Sequence, residues 1–337
     1  MSCVKIEIVY FADMDEQHSS CPERGGRFKN PHMKEELKGL IHFFLWKMGK
    51  YKDPEKTDAP PEIFAYPSLP KTYDRAQPSA LWIGHSTYLI DTKEWTFLTD
   101  PVWGSYCSPL PFKSLKRKNS PPMPLEALPA LNAVLISHNH YDHLETRTIK
   151  TLARLYPHLK WFVPKRLAKW FERRGIACIE LDWWQSWEGE GHRITAVPSQ
   201  HFSGRSLFDK NKTLWNGYVV ECLKSQKTFY FVGDTGYNPF QFKQIGKRFP
   251  NIDLSLIPIG TYVPKRFMSP VHCSPYEAVE IHTDVHSKFS LGMHWNTFRL
   301  SEEPLDRPPY DLYLALKEKN LPFDTFLPID IGVYVNW

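Results

Sequence analysis

A chain of 337 residues could hold two average domains, yet α/β architectures of this size often close as one unit, so length leaves the domain count open. Hydrophobic residues make up 42% of the chain and aromatic residues 15%, ample for a core. No stretch reaches the roughly 18 uninterrupted apolar residues of a spanning helix, and the formal net charge of +5 favours anionic partners without the dense basic stripe of a nucleic-acid protein, so a soluble or at most peripheral protein is expected.

Residues 1–78 read as an N-terminal arm. Its first 14 residues carry Lys5, Glu7 and Asp13 and no small-residue cleavage site behind an apolar run, so no standard secretory signal is expected and a cytoplasmic location follows. Export by an unconventional route would leave no trace in the sequence. The six cysteines (Cys3, Cys21, Cys107, Cys178, Cys222 and Cys273) form no CxxC pair, which points to a reducing compartment. Within the arm, Leu37, Leu40, Ile41, Phe44, Leu45 and Met48 recur at helical spacing with lysines at 34, 38, 47 and 50 nearby. That amphipathic helix either packs on the core or lies on a membrane surface, burying Phe and Trp among headgroups. A proline-rich connector from Pro54 to Pro78 follows.

From residue 79 onward the pattern becomes that of one domain. Residues 80–84, 87–91 and 96–100 read as consecutive strands and 132–136 as a buried one. Helices are expected at about 145–156, 164–174 and 274–286, with further strands at 176–181, 192–198, 217–223, 228–233 and 254–259. The alternation is that of an α/β fold, in which sites form at the carboxyl ends of strands.

The densest chemical signal follows the strand at 132–136. In Ser137-His138-Asn139-His140-Tyr141-Asp142-His143, four potential ligands stand within six residues. His138 and His140, two apart on an extended chain, can point the same way, and a turn brings Asp142 and His143 alongside. Imidazole and carboxylate are donors that zinc accepts, and the number of donors suits two ions better than one. Four residues cannot complete two sites, so others must come from later strand ends. His201 after Val197, Asp234 after Val232-Gly233 and His294 after Met293 each close a hydrophobic run, and Gly233 allows the close backbone approach that a shared carboxylate needs.

These residues match the pattern His-x-His-x-Asp-His, then His, Asp and His, of the metallo-β-lactamase superfamily. Longer stretches (Ile136–Leu144, Glu180–Trp184, Gly233–Tyr237, Ile245–Phe249, Pro258–Tyr262 and Ile281–Val285) closely resemble the N-acylphosphatidylethanolamine-hydrolysing phospholipase D family, and Arg27-Phe28-Lys29-Asn30-Pro31 in the arm resembles it weakly. The resemblance implies an αββα sandwich of two mixed sheets flanked by helices. It implies two zinc ions, one on His138, His140 and His201, the other on Asp142, His143 and His294, with Asp234 shared between them. It further implies hydrolysis of N-acylphosphatidylethanolamine to N-acylethanolamine and phosphatidic acid, by hydroxide attack on phosphorus with Asp142 or Asp234 taking or holding the proton. His272, in a stretch that the family shares, is then a candidate for contact with the phosphate or amide, and Tyr141 for the pocket mouth. One departure is Asn296, where the family usually has glycine.

Other residues read less sharply. His85, in Trp82-Ile83-Gly84-His85-Ser86-Thr87, is expected to orient a ligand or strand rather than bind metal. The basic run Lys113, Lys116, Arg117 and Lys118 is either a solvated loop or a contact for anionic lipid. Trp183, Trp184 and Trp187 are expected in the core or lining a groove. The expected partners are a phospholipid substrate and, peripherally, a membrane surface, without nucleic acid and with a homodimer among the states allowed. The rivals are a hydrolase of another phosphodiester or of a lactone, a nuclease, and a lipid-binding protein with an inactive site.

Overall fold

The computed structural model describes residues 8–9, 21–33, 48, 50, 59–62, 64–68, 72–206 and 208–337. Apart from Met48, the amphipathic helix expected over 37–48 lies outside these residues, as does most of the connector.

The first sheet opens as a meander: β4 (Ser79–Gly84), β5 (Thr87–Asp91) and β6 (Thr96–Thr99) pair antiparallel. Strand β4 is buried on both faces, and its pleat sorts the side chains, Ala80 and Trp82 to one core and Leu81 and Ile83 to another. β7 (Ala133–Leu135), β8 (Lys160–Pro164) and β9 (Ile179–Leu181) then add in parallel, joined by α1 (Thr146–Leu155) and α2 (Ala168–Glu172). β17 (Tyr334–Asn336) returns to pair with β4, giving seven strands in the order β17-β4-β5-β6-β7-β8-β9. The outer core, with Leu81, Ile83, Ile149, Leu152 and Phe171, lies between this sheet and helices α1 and α2.

The second sheet has the same mixed character. β10 (Ser186–Gly189), β11 (His192–Val197), β12 (Gly217–Cys222) and β13 (Lys227–Phe231) run antiparallel, then β14 (Leu254–Pro258), β15 (Ser290–Met293) and β16 (Phe326–Leu327) continue in parallel. β1 (Ile8–Val9) adds to β10, making eight strands. The connecting helices are α3 (Pro239–Arg248), α5 (Pro275–Asp284) and α6 (Arg307–Glu318), with a short α4 (Lys265–Met268) before α5. A capping box between Ser274 and Glu277, with Pro275 at the first helical position, starts α5 where the sequence places it.

The two sheets meet face to face over aromatic side chains. Phe97 packs edge-on against Phe229 with centroids 5.2 Å apart, and Phe162 against Trp187 at 5.3 Å. Two buried tyrosines bridge the sheets, Tyr88 donating to the Gly292 carbonyl at 2.7 Å and Tyr218 to the Ile136 carbonyl at 3.0 Å. Helices flank both outer faces, so the αββα sandwich stands.

Besides β1, the described part of the arm holds a two-strand hairpin, β2 (Glu23–Arg24) and β3 (Arg27–Phe28). Phe28 is fully buried. Among the described residues no helix is long and apolar enough to cross a membrane, and Cys21, Cys107, Cys178, Cys222 and Cys273 are free thiols.

Candidate metal centre

Every candidate ligand leaves the carboxyl end of a strand. Ser137–His143 follows β7, in the first sheet; His201 follows β11, Asp234 follows β13 and His294 follows β15, all in the second. The site therefore sits at one end of the sandwich and takes donors from both sheets. Backbone strain gathers there: His85, Asp100 and His294 hold positive φ of 52°, 30° and 63°, conformations that non-glycine residues keep only where the surroundings enforce them. Gly233 also has φ +68°, and a Cβ there would stand 2.9 Å from the Ser137 Cβ, so glycine is required for both reasons.

Two groups of donors form. In the first, His138 Nε2 stands 2.7 Å from His140 Nδ1, which is 3.3 Å from His201 Nε2. In the second, His143 Nε2 lies 3.4 Å and His294 Nε2 3.7 Å from Asp142 Oδ2. Asp234 lies between the groups: its Oδ2 is 3.1 Å from both His143 Nε2 and His294 Nε2 and 3.7 Å from His201 Nε2. All seven side chains named from the sequence thus converge.

The far side of the His143, His201 and His138 rings is tied down, which fixes the tautomer and turns the other nitrogen inward. His143 Nδ1 donates to Asp100 Oδ2 at 2.7 Å, His201 Nδ1 to the Val271 carbonyl at 2.8 Å, and His138 Nδ1 to Ser137 Oγ at 2.9 Å. Ser137 in turn donates its hydroxyl to Asp100 Oδ2 and its amide to Asp100 Oδ1. Asp100, wholly buried at the end of β6, therefore aligns one histidine of each group. The sequence marks it only as a polar residue ending a strand, and reasoning from ligand motifs passes over it. Asp100→Asn, which cannot accept from both partners, is expected to weaken metal affinity by about 10- to 100-fold. Competition against a chromophoric chelator measures this, and wild-type affinity would remove the role assigned to Asp100.

His85 joins Asp142, His143 and His294 in one group of potential donors, its Nε2 3.0 Å from Asp142 Oδ2. Its backbone is held by Thr297 Oγ1, which accepts from its amide at 2.6 Å, and by the Trp82 indole, which donates to its carbonyl at 2.9 Å.

Electrostatics and orphaned atoms indicate what the cluster fits. Burial pushes the imidazoles of His138, His140 and His201 down, His140 to about 3 and His201 to about 4, so these rings are neutral donors. For His143 and His294 burial acts in the same sense but is outweighed by Asp234 and Asp142, and His294 rises to about 9. The two carboxyls, which burial alone would raise, are held well below the usual range by those rings. His143 Nε2, His294 Nε2 and Asp234 Oδ1 are buried and make no directed hydrogen bond. Buried donors lacking protein partners, aimed at one another across 3–4 Å, fit cations between them, and oxygen and imidazole donors suit zinc and its first-row neighbours.

The remaining candidates fall around this cluster. His272 flanks it, with Nδ1 3.9 Å from Asp234 Oδ2 and its ring 5.1 Å from that of His201; burial holds its imidazole well below the ordinary value. Tyr141 is clamped by Arg205, whose guanidinium lies 3.9 Å over the ring and donates to the Asn139 and Leu144 carbonyls. Asn296 has φ 52°, a conformation that favours glycine and that asparagine tolerates, so the departure leaves the local backbone intact. The basic run needs correction: Lys113, Lys116 and Lys118 are exposed, but Arg117 is buried, donating to the Val102 and Gly104 carbonyls, and cannot reach a lipid. Trp183, Trp184 and Trp187 are buried in the inter-sheet core.

Comparison with known proteins places this arrangement. Residues 96–295 match the family described as the beta-lactamase superfamily domain. The N-acyl-phosphatidylethanolamine-hydrolyzing phospholipase D 1 of Caenorhabditis elegans is 39% identical over 265 residues, 75% of this chain and 74% of that protein. The mitochondrial N-acyl-phosphatidylethanolamine-hydrolyzing phospholipase D of Saccharomyces cerevisiae is 34% identical over 66% of this chain, which spans 48% of that protein. Among solved structures, a metallo hydrolase from Ignicoccus hospitalis aligns with a TM-score of 0.59 at 19% identity, covering 77% of this chain and 98% of its own, a likeness of fold.

Proposed function

This chain belongs to the N-acylphosphatidylethanolamine-hydrolysing phospholipase D family of the β-lactamase superfamily, and from that premise we propose that it releases N-acylethanolamine from N-acylphosphatidylethanolamine, leaving phosphatidic acid. It is a hydrolase of the metallo-β-lactamase fold. The observation that supports the proposed reaction is the 39% identity to the Caenorhabditis elegans N-acyl-phosphatidylethanolamine-hydrolyzing phospholipase D over 74% of that protein, joined to a centre in which one Asp234 oxygen faces His143 and His294 at 3.1 Å and His201 at 3.7 Å.

In this reading His138, His140 and His201 would hold one zinc ion, and Asp142, His143 and His294 the other. When bound, such ions supply hydroxide near neutral pH and neutralise charge on a phosphoryl oxygen. The two acidic residues divide the remaining work by accessibility. The Asp142 side chain keeps 14% exposure against 2% for Asp234, so Asp142 is the carboxylate that could accept a proton from an attacking water, while Asp234 stays buried between the two donor groups. The neutral His272 ring offers a hydrogen bond to phosphate or amide, and Tyr141, fixed by Arg205, lines the entrance.

The substrate's acyl chains need an apolar approach. Phe208, 78% exposed, lies in the loop that holds Arg205, and Phe240, 67% exposed, stacks on His32 beside the arm hairpin. In this proposal both meet the lipid surface. Phe208→Ser is then expected to raise KM for vesicle-borne substrate several-fold, with turnover of a short-chain, micelle-free substrate unchanged; equal effects on both would rule out a lipid contact.

The reading is tested by incubating purified, metal-loaded protein with N-acylphosphatidylethanolamine and, separately, phosphatidylethanolamine, and identifying products by mass spectrometry. N-acylethanolamine together with phosphatidic acid is the expected outcome; intact lipid in both samples would overturn it.

A further inference from the structure

The Arg27-Phe28-Lys29-Asn30-Pro31 stretch has no part in the chemistry above, yet several of its hydrogen bonds lead to the segment that carries His201. Phe28 is wholly buried, with the Arg166 guanidinium 4.8 Å and the Lys165 ammonium 5.9 Å from its ring. Its amide donates to the Asn211 carbonyl at 2.8 Å, and the Asn211 side chain donates back to the Phe28 carbonyl at 3.2 Å. Asn211 also donates its amide to the Ser203 carbonyl, two residues beyond His201, and accepts from the Ser203 amide. Arg27 reaches the carbonyls of Phe208 and Lys210 in the same loop.

Asn30 completes the set, its Nδ2 donating to the His201 carbonyl at 2.7 Å. The chain leaves the β-ladder after the isolated bridge between Gln200 and Gly236, so the buried His201 carbonyl has no strand partner, and a buried carbonyl without a donor is costly. The Val271 carbonyl fixes the ring of His201; Asn30 fixes its backbone. Ring and backbone are thus gripped from two directions, one of them supplied by a segment more than 160 residues earlier in the chain.

We propose that Asn30 is a positioning residue of the metal centre: through the His201 carbonyl, the arm hairpin sets the geometry of the three-histidine group His138, His140 and His201. This rests on the reading of the cluster as a metal site. It gives the arm a function beyond any membrane attachment, since Asn30 acts on the main chain of a ligand.

The test loads the full chain with Co2+ and follows its visible spectrum and affinity. Asn30→Asp matches the amide in size but cannot donate; Asn30→Ala removes the group altogether and serves if the aspartate misfolds. Either is expected to lower affinity for one of two bound ions by about 10- to 100-fold and to shift the cobalt bands. Glu23→Gln, which loses the hairpin's exposed ion pair with Arg166 and keeps the Asn30 bond, is expected to leave spectrum and affinity unchanged. A merely structural role for Asn30 would lower Tm without altering the spectrum. Two ions bound with wild-type spectrum and affinity in both Asn30 variants would overturn this inference alone. Failure of the unaltered chain to take up cobalt would overturn the reading of the cluster, and this inference with it.

Discussion

Asp234→Asn is expected to lower kcat/KM by on the order of 10²–10³-fold and to reduce bound metal below two ions per chain. The carboxylate is 2% exposed and is the group common to both sets of donors, so its charge offsets whatever cations the site holds, metal ions or the protons of His143 and His294. Removing one partner of a buried charge pair costs about 3–5 kcal/mol, because the remaining charge is left uncompensated, and each 1.4 kcal/mol is tenfold. Asparagine preserves size, so the loss is electrostatic. Elemental analysis of the purified variant and steady-state kinetics at saturating zinc separate weakened loading from weakened chemistry. Full metal content with unimpaired turnover would refute the part given to Asp234.

Trp82→Ala should produce the largest loss of stability in the chain. Trp82 has no exposed surface; its indole stacks on Trp295 at 5.1 Å and on Tyr88 at 6.2 Å, and its N–H holds the His85 carbonyl. Truncating a buried tryptophan costs about 3–5 kcal/mol, which for a chain of this size is a fall in Tm on the order of 10 °C. The effect reaches the site as well. His85, at φ 52°, loses one of its backbone restraints and with it the alignment of Asp142, so metal affinity falls in the same variant. Trp82→Phe retains an aromatic filler without the N–H and is expected to sit between. Calorimetric Tm and metal content serve as readouts; a Tm within about 2 °C of wild type would contradict the packing argument.

The centre was legible where its donors lie close in sequence. Four ligands in six residues behind an apolar strand announce themselves, and His201, Asp234 and His294 could be added because each ends a hydrophobic run. Asp100 and Asn30 act on ligands through space, with a lone aspartate and an asparagine in an irregular arm as their only local trace. The elements divide in the same way. The helix at 275–284 begins at an unmistakable capping box, whereas those at 239–248 and 307–318 open on Pro239 and on Pro308-Pro309, residues that break a helix interior but suit a first helical turn. The helix expected over 164–174 shrinks to Ala168–Glu172, since Lys160–Pro164 joins the sheet as a parallel strand and Arg166 turns at φ 69°. Strand β17 is specified by its partner β4 some 250 residues away, and a three-residue segment carries no periodicity by which to find it. Arg117 shows the converse: a run of like charges conceals the one member whose guanidinium the fold uses internally.

That the donors come from both halves of the sandwich has a consequence for the protein's lifetime. An ion held between His143 on one sheet and His294 on the other would fasten their interface, and would stabilise the folded chain by an amount set by the free ion: about 2.7 kcal/mol at a hundredfold excess over Kd. Scarcity would loosen the seam before it emptied the last molecule, leaving chains more open to proteolysis.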